Sequence, residues 1–349
     1  MNLGTNNFAA LRLTLAASVI VFHTAFLSRA PAMAWFAGEK WSTFGIHGFF
    51  FISGFLVVMS FERSPTLRDF FEKRARRILP AYVAVVVAVA ALLVFVSRMP
   101  AGEYFTDPSF YRYLVWNLAF SNFAAPTLPG VFEHNTKHAV NGSLWTIKIE
   151  VLFYLVVPLI CLAIRRWGAR RVLPALGIGS VVWGVGLQSL ADTLHRPLLE
   201  QLAVQLPGQL CYFVAGIVVF YRSRAGLQPP GGWLALLGLC LYLLTSGPLW
   251  QVISPAAVYF TMAWATQRMP HVSSPNRGGD ISYGIFLIHW PIVQVAVELG
   301  AFQHNAWLGA VGCWAIVAGL GYLSWFGVER PFLFRKHGSA FRVAPAAAG

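Results

Sequence analysis

Residues 11–26, "LRLTLAASVIVFHTAF", form an apolar run interrupted by two side chains that hydrocarbon disfavours, Arg12 and His23. At about 100° per residue, positions eleven apart on a helix fall within about 20° of one another and about 16 Å apart along its axis. An ionisable group inside an apolar span costs about a few kcal/mol or more, so it turns to the bundle interior and marks a functional site by default. Neutral imidazole suits general-base work near neutral pH, and a guanidinium at the membrane surface attracts and orients anions. Arg12 and His23 thus mark two depths on one helix face.

Four further segments carry polar groups of the same kind. "GSLWTIKIEVLFYLVVP", from Gly142, holds Ser143, Trp145 and Glu150; Ser143 and Glu150 are seven apart and share a helix face, with Glu150 at a depth like that of His23. Lys148 points nearly the opposite way and reads as a snorkelling or structural cation. "HGFFFISGF", 47–55, places Ser53 and Gly54 at mid-membrane, where small residues admit a close helix or leave room for a ligand. "ISYGIFLIHWP", 281–291, brings Ser282, Tyr283 and His289; His289 alone reads as an interhelical hydrogen-bonding residue, and Pro291 kinks the helix beside it. "FFEKRARRILP", 70–80, clusters Arg74, Arg76 and Arg77. Guanidinium groups bind phosphate bidentately, although retention of basic residues on the cytoplasmic side explains such a loop as well. His134 and His138 have the spacing of a metal pair on a helix but lack a third ligand, so no metal is expected.

The elements that must hold these groups follow from composition. The chain has 349 residues, 57% hydrophobic and 11% charged, with a mean hydropathy of +0.61, too apolar for an ordinary soluble domain. Apolar runs long enough to cross a bilayer lie at 8–28, 43–61, 79–97, 143–164, 172–190, 203–221, 231–247, 250–267, 281–299 and 306–327. The expectation is an all-α polytopic membrane protein of about ten transmembrane helices. Segment 110–125 is short and polar and reads as not crossing. With both termini cytoplasmic, most Lys and Arg residues fall on the inner side, as the positive-inside rule asks; a crossing at 110–125 would export "RRWGARR", 165–171.

The net charge of +13 then reads as topology and contact with anionic membrane lipid. A nucleic-acid partner is not expected, since no soluble face interleaves basic and aromatic residues. Cys161, Cys211, Cys240 and Cys313 are scattered within spans, with no CxxC pair, which indicates neither a disulfide framework nor a metal site. "AMA" at 32–34 resembles a signal-peptide cleavage site, but nothing basic precedes Arg12, so the first span is read as retained. The expected organisation is a single transmembrane domain over 1–337 and a disordered tail over 338–349.

Taken together the segments resemble the acyltransferase-3 family of integral membrane acyltransferases, which O-acylate surface and secreted carbohydrates. Five match in the family's order: Arg12 with His23; "FFFISGF", 49–55; "RARRILP", 74–80; "SLWTIKIEVLFY", 143–154; and "SYGIFLIHWP", 282–291. "VERPF", 328–332, resembles the family's usual end. Lys148 departs from the pattern, which often has a small or apolar residue there, and an appended SGNH-type esterase domain, as in larger relatives, is not expected.

The resemblance implies a protein of the cell inner (plasma) membrane with no bound cofactor. It uses an acyl-CoA co-substrate, usually acetyl-CoA, and a carbohydrate or glycolipid acceptor, and either completes transfer alone or works with a separate periplasmic esterase-type partner. On that reading Arg74, Arg76 and Arg77 hold the CoA phosphates, Arg12 orients the donor, and His23 is the general base with Glu150 orienting its imidazole. Ser53, Ser282 and Tyr283 donate to the oxyanion, while Ser143, Trp145 and His289 complete the substrate pocket. Direct transfer and an acyl-enzyme on His23 or Ser143 both stand open. The alternative is a proton-coupled anion or organic-acid transporter using the same Arg, His and Glu residues, though no internal repeat or paired broken helices support it.

Overall fold

The computed structural model describes residues 7–272 and 279–334, and every regular element among them is helical. The expected disordered tail lies outside the described residues. Helix α1 (Phe8–Ser28) leads through a 3-10 turn at Pro31–Ala37 into α2 (Glu39–Glu62), and α3 (Leu67–Leu92) follows after a tight link. Two short helices, α4 (Ala101–Thr106) and α5 (Pro108–Leu118), precede a long irregular segment. The chain continues with α6 (Trp145–Trp167), α7 (Ala169–Leu194), short α8 (Pro197–Ala203), α9 (Leu206–Arg224), α10 (Gly232–Leu244) and α11 (Gly247–Gln267). It closes with α12 (Ser282–Glu298), α13 (Ala306–Ser324), a π turn at Trp325–Glu329 and α14 (Arg330–Leu333).

Each of the ten expected spans coincides with a helix, but among the described residues only seven helices are long and apolar enough to cross a membrane. Helices α10, of 13 residues, and α12, of 17, fall short of the roughly 20 residues a bilayer asks for. Helix α5 has 11 residues, about 16 Å of helix, and is too short to cross. The lipid-facing sides are legible in burial: on α6, Leu155, Leu159 and Leu162 are exposed while Phe153, Val157, Ile160 and Ile164 are buried, the split expected of a helix between hydrocarbon and bundle. Helix α3 starts at Leu67, well before the expected 79, so the basic segment 70–80 is itself helical and carries Arg74 and Arg77 on one face.

Two packing devices position the functional groups. The first is a backbone-close crossing of α2 and α9. A Cβ on Gly54 would meet the Phe213 carbonyl, and a Cβ on Gly216 the Phe51 carbonyl, each within 2.0 Å. Gly54 therefore serves the approach of small residues, and its neighbour Ser53 turns to the other side.

The second device straps residues 126–144 onto α12. Pro291 has no N–H, so the Leu287 carbonyl four residues earlier lacks its helical partner; the Asn141 side chain donates to it at 2.8 Å. Asn135 Nδ2 donates to the Gln294 carbonyl at 3.0 Å, Gln294 Nε2 donates to the Ala139 carbonyl at 2.9 Å, and Trp290 Nε1 donates to the same carbonyl at 3.1 Å.

Gly54→Val and Gly216→Val should each force α2 and α9 apart, at a cost of about 1–3 kcal/mol or more. A melting temperature in detergent that matches the wild type for either variant would contradict the crossing.

Candidate active site

A cavity of about 670 Å³ lies between α1, α2, α3, α6 and α12. Of the residues singled out from sequence, Arg12, Ser53, Arg74, Arg76, Arg77, Glu150, Ser282 and Tyr283 line it. His23, Ser143, Trp145 and His289 do not.

Part of the cationic wall is neutralised from within. Asp280, just ahead of α12, accepts from Arg12 at 2.6 Å and from Arg77 at 2.7 Å through one oxygen. Its other oxygen accepts from the Ser282 hydroxyl at 2.5 Å and the Ser282 N–H at 3.2 Å. Burial alone would push the Asp280 carboxyl up, but the two guanidinium groups and the Ser282 donors outweigh it and hold the carboxyl well below the usual carboxylate range. Arg77 also lies 3.6 Å from the buried Glu329 carboxylate, an ion contact longer than a hydrogen bond, and over the ring of Tyr283. Arg76 pairs with Glu72 one turn earlier at 2.5 Å.

Glu150 is not the partner of His23. Its Oε1 accepts from Ser53 at 3.1 Å and from the Tyr154 hydroxyl at 2.6 Å, facing the cavity instead. The reason is rotation: Glu150 projects from α6 toward α2, whereas His23 faces α12. The hydroxyls expected at an oxyanion are also engaged, since Ser53 donates to Glu150, Ser282 to Asp280 and Tyr283 to the Ile78 carbonyl at 3.1 Å. Ser143 sits in a 3-10 turn ahead of α6 and donates to Asn141 Oδ1 at 2.7 Å, so it is a turn residue. Trp145 is half-buried against the main core. Lys148, on the far side of α6, donates to Gln205 at 2.9 Å and lies over Phe123.

His23 pairs with His289, Nδ1 to Nε2 at 2.8 Å, and the rings are nearly parallel at 12°. The other nitrogen of His289, Nδ1, lies 2.7 Å from the Phe286 carbonyl. A carbonyl can only accept, so that Nδ1 carries the proton and, in a neutral ring, His289 Nε2 is bare. It follows that His23 Nδ1 donates to it and that His23 Nε2 is the free lone pair. This is the arrangement of a base whose tautomer and orientation are set by a second group, with His289 in the place expected of Glu150. The edge of Trp290, 4.7 Å from His23 between ring centroids, packs against the pair. Phe286 links the two regions: its ring lines the cavity and lies 5.6 Å from that of His289, and Phe49 packs edge to face on it.

Asp280, Tyr154 and Asn141 were missed by sequence reasoning. Asp280 stands one residue before "ISYGIFLIHWP", and an acid at the start of a span in a chain rich in basic loops was a signal; Asn141 had none, because the carbonyl it serves is freed by a proline 150 residues later.

A family model described as an acyltransferase domain matches residues 6–325, and the chain belongs to the acyltransferase-3 family. It is 29% identical to nodulation protein 10 of Rhizobium leguminosarum bv. viciae, over 93% of this chain and 92% of that one. It is 27% identical to an O-acetyl transferase of Shigella phage Sf6, over 95% and 97% of the two chains. It is 30% identical to the exopolysaccharide production protein ExoZ of Rhizobium meliloti (strain 1021), over 87% and 93%. No solved structure matches. The chain is a multi-pass membrane acyltransferase, and the transporter alternative gives way to an enzyme.

Asp280→Asn should leave Arg12 without its carboxylate and Arg77 with only the longer contact to Glu329, and destabilise the fold by about 3 kcal/mol, the low end for a broken buried pair. Because the folded Asp280 carboxyl is depressed, its contribution is present above the unfolded value of about 4 and is lost as pH falls through the folded value. The melting-temperature gap between wild type and variant should therefore be full at neutral pH and shrink below about pH 4; a gap that widens on acidification would contradict the assignment.

Proposed function

We propose that this protein transfers an acyl group, most simply acetyl, from cytoplasmic acyl-CoA to a hydroxyl of a cell-surface or secreted carbohydrate or glycolipid. It does so from the cell inner membrane, as a bundle of ten spans with both termini cytoplasmic. The names of the relatives support a carbohydrate-directed O-acetylation, and the coincidence of ten apolar runs with ten helices supports the topology. The observation that carries the chemistry is the chain of hydrogen bonds from Phe286 through His289, which leaves His23 Nε2 unprotonated and fixed.

In the reaction, the acceptor oxygen attacks the thioester carbonyl while its proton passes to His23 Nε2. The carbon–sulfur bond then breaks, and the same proton leaves on the coenzyme A thiol. His289 is a positioning residue, holding His23 as a triad carboxylate holds its imidazole. The donor enters through the cation-lined cavity, where Glu150 Oε2 is left to accept an amide N–H of the pantetheine arm, and the thioester reaches His23 by passing Phe49 and Phe286.

The test is thiol release from acetyl-CoA by detergent-purified protein supplied with envelope glycans. His23→Ala should lower turnover by about 10²–10⁴-fold. His289→Gln, whose side-chain oxygen still accepts from His23, should keep most of it, and His289→Leu should not. Equal activity in the Gln and Leu variants would remove the positioning role. Release unaffected by His23→Ala would remove the base, and product that appears only with an added periplasmic esterase would make this chain a shuttle.

A further inference from the structure

Six cations line the inner cavity: Arg12, Arg63, Lys73, Arg74, Arg76 and Arg77. They divide by partner. Arg12 and Arg77 share Asp280, Arg77 also faces Glu329, and Arg76 holds Glu72. The other three have no carboxylate within ion-pair distance among the described residues. Lys73 donates to the Ser64 hydroxyl at 3.1 Å and Arg74 to the Ser60 hydroxyl at 3.3 Å, both neutral. Arg74 Nε is buried with no acceptor at all, while its guanidinium lies 5.6 Å from the centroid of the Tyr154 ring.

Resting on the acyl-CoA reading, we propose that Arg63, Lys73 and Arg74, at the elbow between α2 and α3, form the phosphate subsite for the donor, in place of Arg76 and Arg77. A cation already holding a carboxylate offers little net field to a second anion; freeing Arg77 would also strand the buried Asp280 and Glu329 carboxylates in a poorly solvated wall, whereas Arg76 is engaged by the partly exposed Glu72. Three cations without counter-ions, one with an orphaned donor, present the opposite case: phosphate oxygens complete their hydrogen bonding. The position also fits the length of the ligand. Arg63 lines a second cavity of about 430 Å³, between α2 and α9, that shares Met59 and Arg63 with the first. Phosphates held at the elbow leave the thioester arm to the first cavity and the nucleoside end to the second, beside Phe55, Phe220 and Arg224.

The shared chemistry, phosphate on unpaired cations, would also suit an anionic lipid headgroup, and the test separates the two. Full-length protein in detergent is titrated with coenzyme A, pantetheine and phosphatidylglycerol in mixed micelles, for wild type and for Arg63→Gln, Lys73→Gln, Arg74→Gln and Arg76→Gln. Each of the first three should raise the Kd for coenzyme A about tenfold, the worth of one charged hydrogen bond. Arg76→Gln should change it less than about threefold, as for a cation already in a surface pair. Pantetheine should bind all variants alike, which also shows that they are folded. The subsite is overturned if wild type binds coenzyme A and the first three variants bind it equally well, or if they lose only phosphatidylglycerol. Wild type that binds pantetheine but gains nothing from the phosphates overturns it too, and wild type that binds neither thiol removes the acyl-CoA reading itself.

Discussion

The structure depends on one carboxylate. Asp280 receives Arg12 from α1 and Arg77 from α3 at the point where α12 begins, and so ties three helices together at the inner end of the cavity. From that knot α1 and α12 run in the same direction. Eleven residues along α1, about 16 Å, and nine residues beyond Asp280, about 13 Å, the chain meets itself again at His23 and His289. Two helices joined at two such points cannot slide or rotate past each other, and the register that brings the imidazoles within hydrogen-bond distance is set by the ion pair at the other end.

Hydrocarbon makes this economy necessary. A polar group in a span is stabilised by a partner inside the bundle, and most of the ionisable groups described above have one or face the cavity. His47 shows the first outcome without chemistry: it is buried, stacked on Tyr212 with ring centroids 3.4 Å apart and bonded to the Tyr242 hydroxyl at 3.0 Å. That histidine ties α2 to α9 and α10. His23 is matched through one nitrogen only, Nδ1 to His289, which leaves its Nε2 outside the pair.

The cavity and the histidine pair meet at Phe286, on whose backbone both depend. Its carbonyl sets the tautomer of His289, and its ring lines the chamber. One turn on, Pro291 frees the Leu287 carbonyl, and Asn141 takes it up, so the irregular segment 126–144 is fastened to the same helix. Pro291 thereby supplies the acceptor by which the strap is fastened to α12.

Composition and spacing were enough to determine that this is a helical membrane protein, where ten of its helices lie, that Arg12 and His23 share a face of one helix, and which family's motifs they belong to. These are local properties: apolar length, helical period and residue type are all written along the chain. The partnerships were decided only by the tertiary structure. From sequence, Glu150 read as the partner of His23 and His289 only as an interhelical hydrogen-bonding or pocket residue, and Arg74, Arg76 and Arg77 looked alike as phosphate ligands. Which carboxylate meets which cation depends on how α6 and α12 are rotated about their own axes relative to α1 and α3, and on Asp280, more than two hundred residues from either arginine it joins. Such relative placements are contacts between segments far apart in the chain: Gly54 could be read as a small residue, but that it meets the Phe213 backbone, as Gly216 meets that of Phe51, is set only by the crossing of α2 and α9.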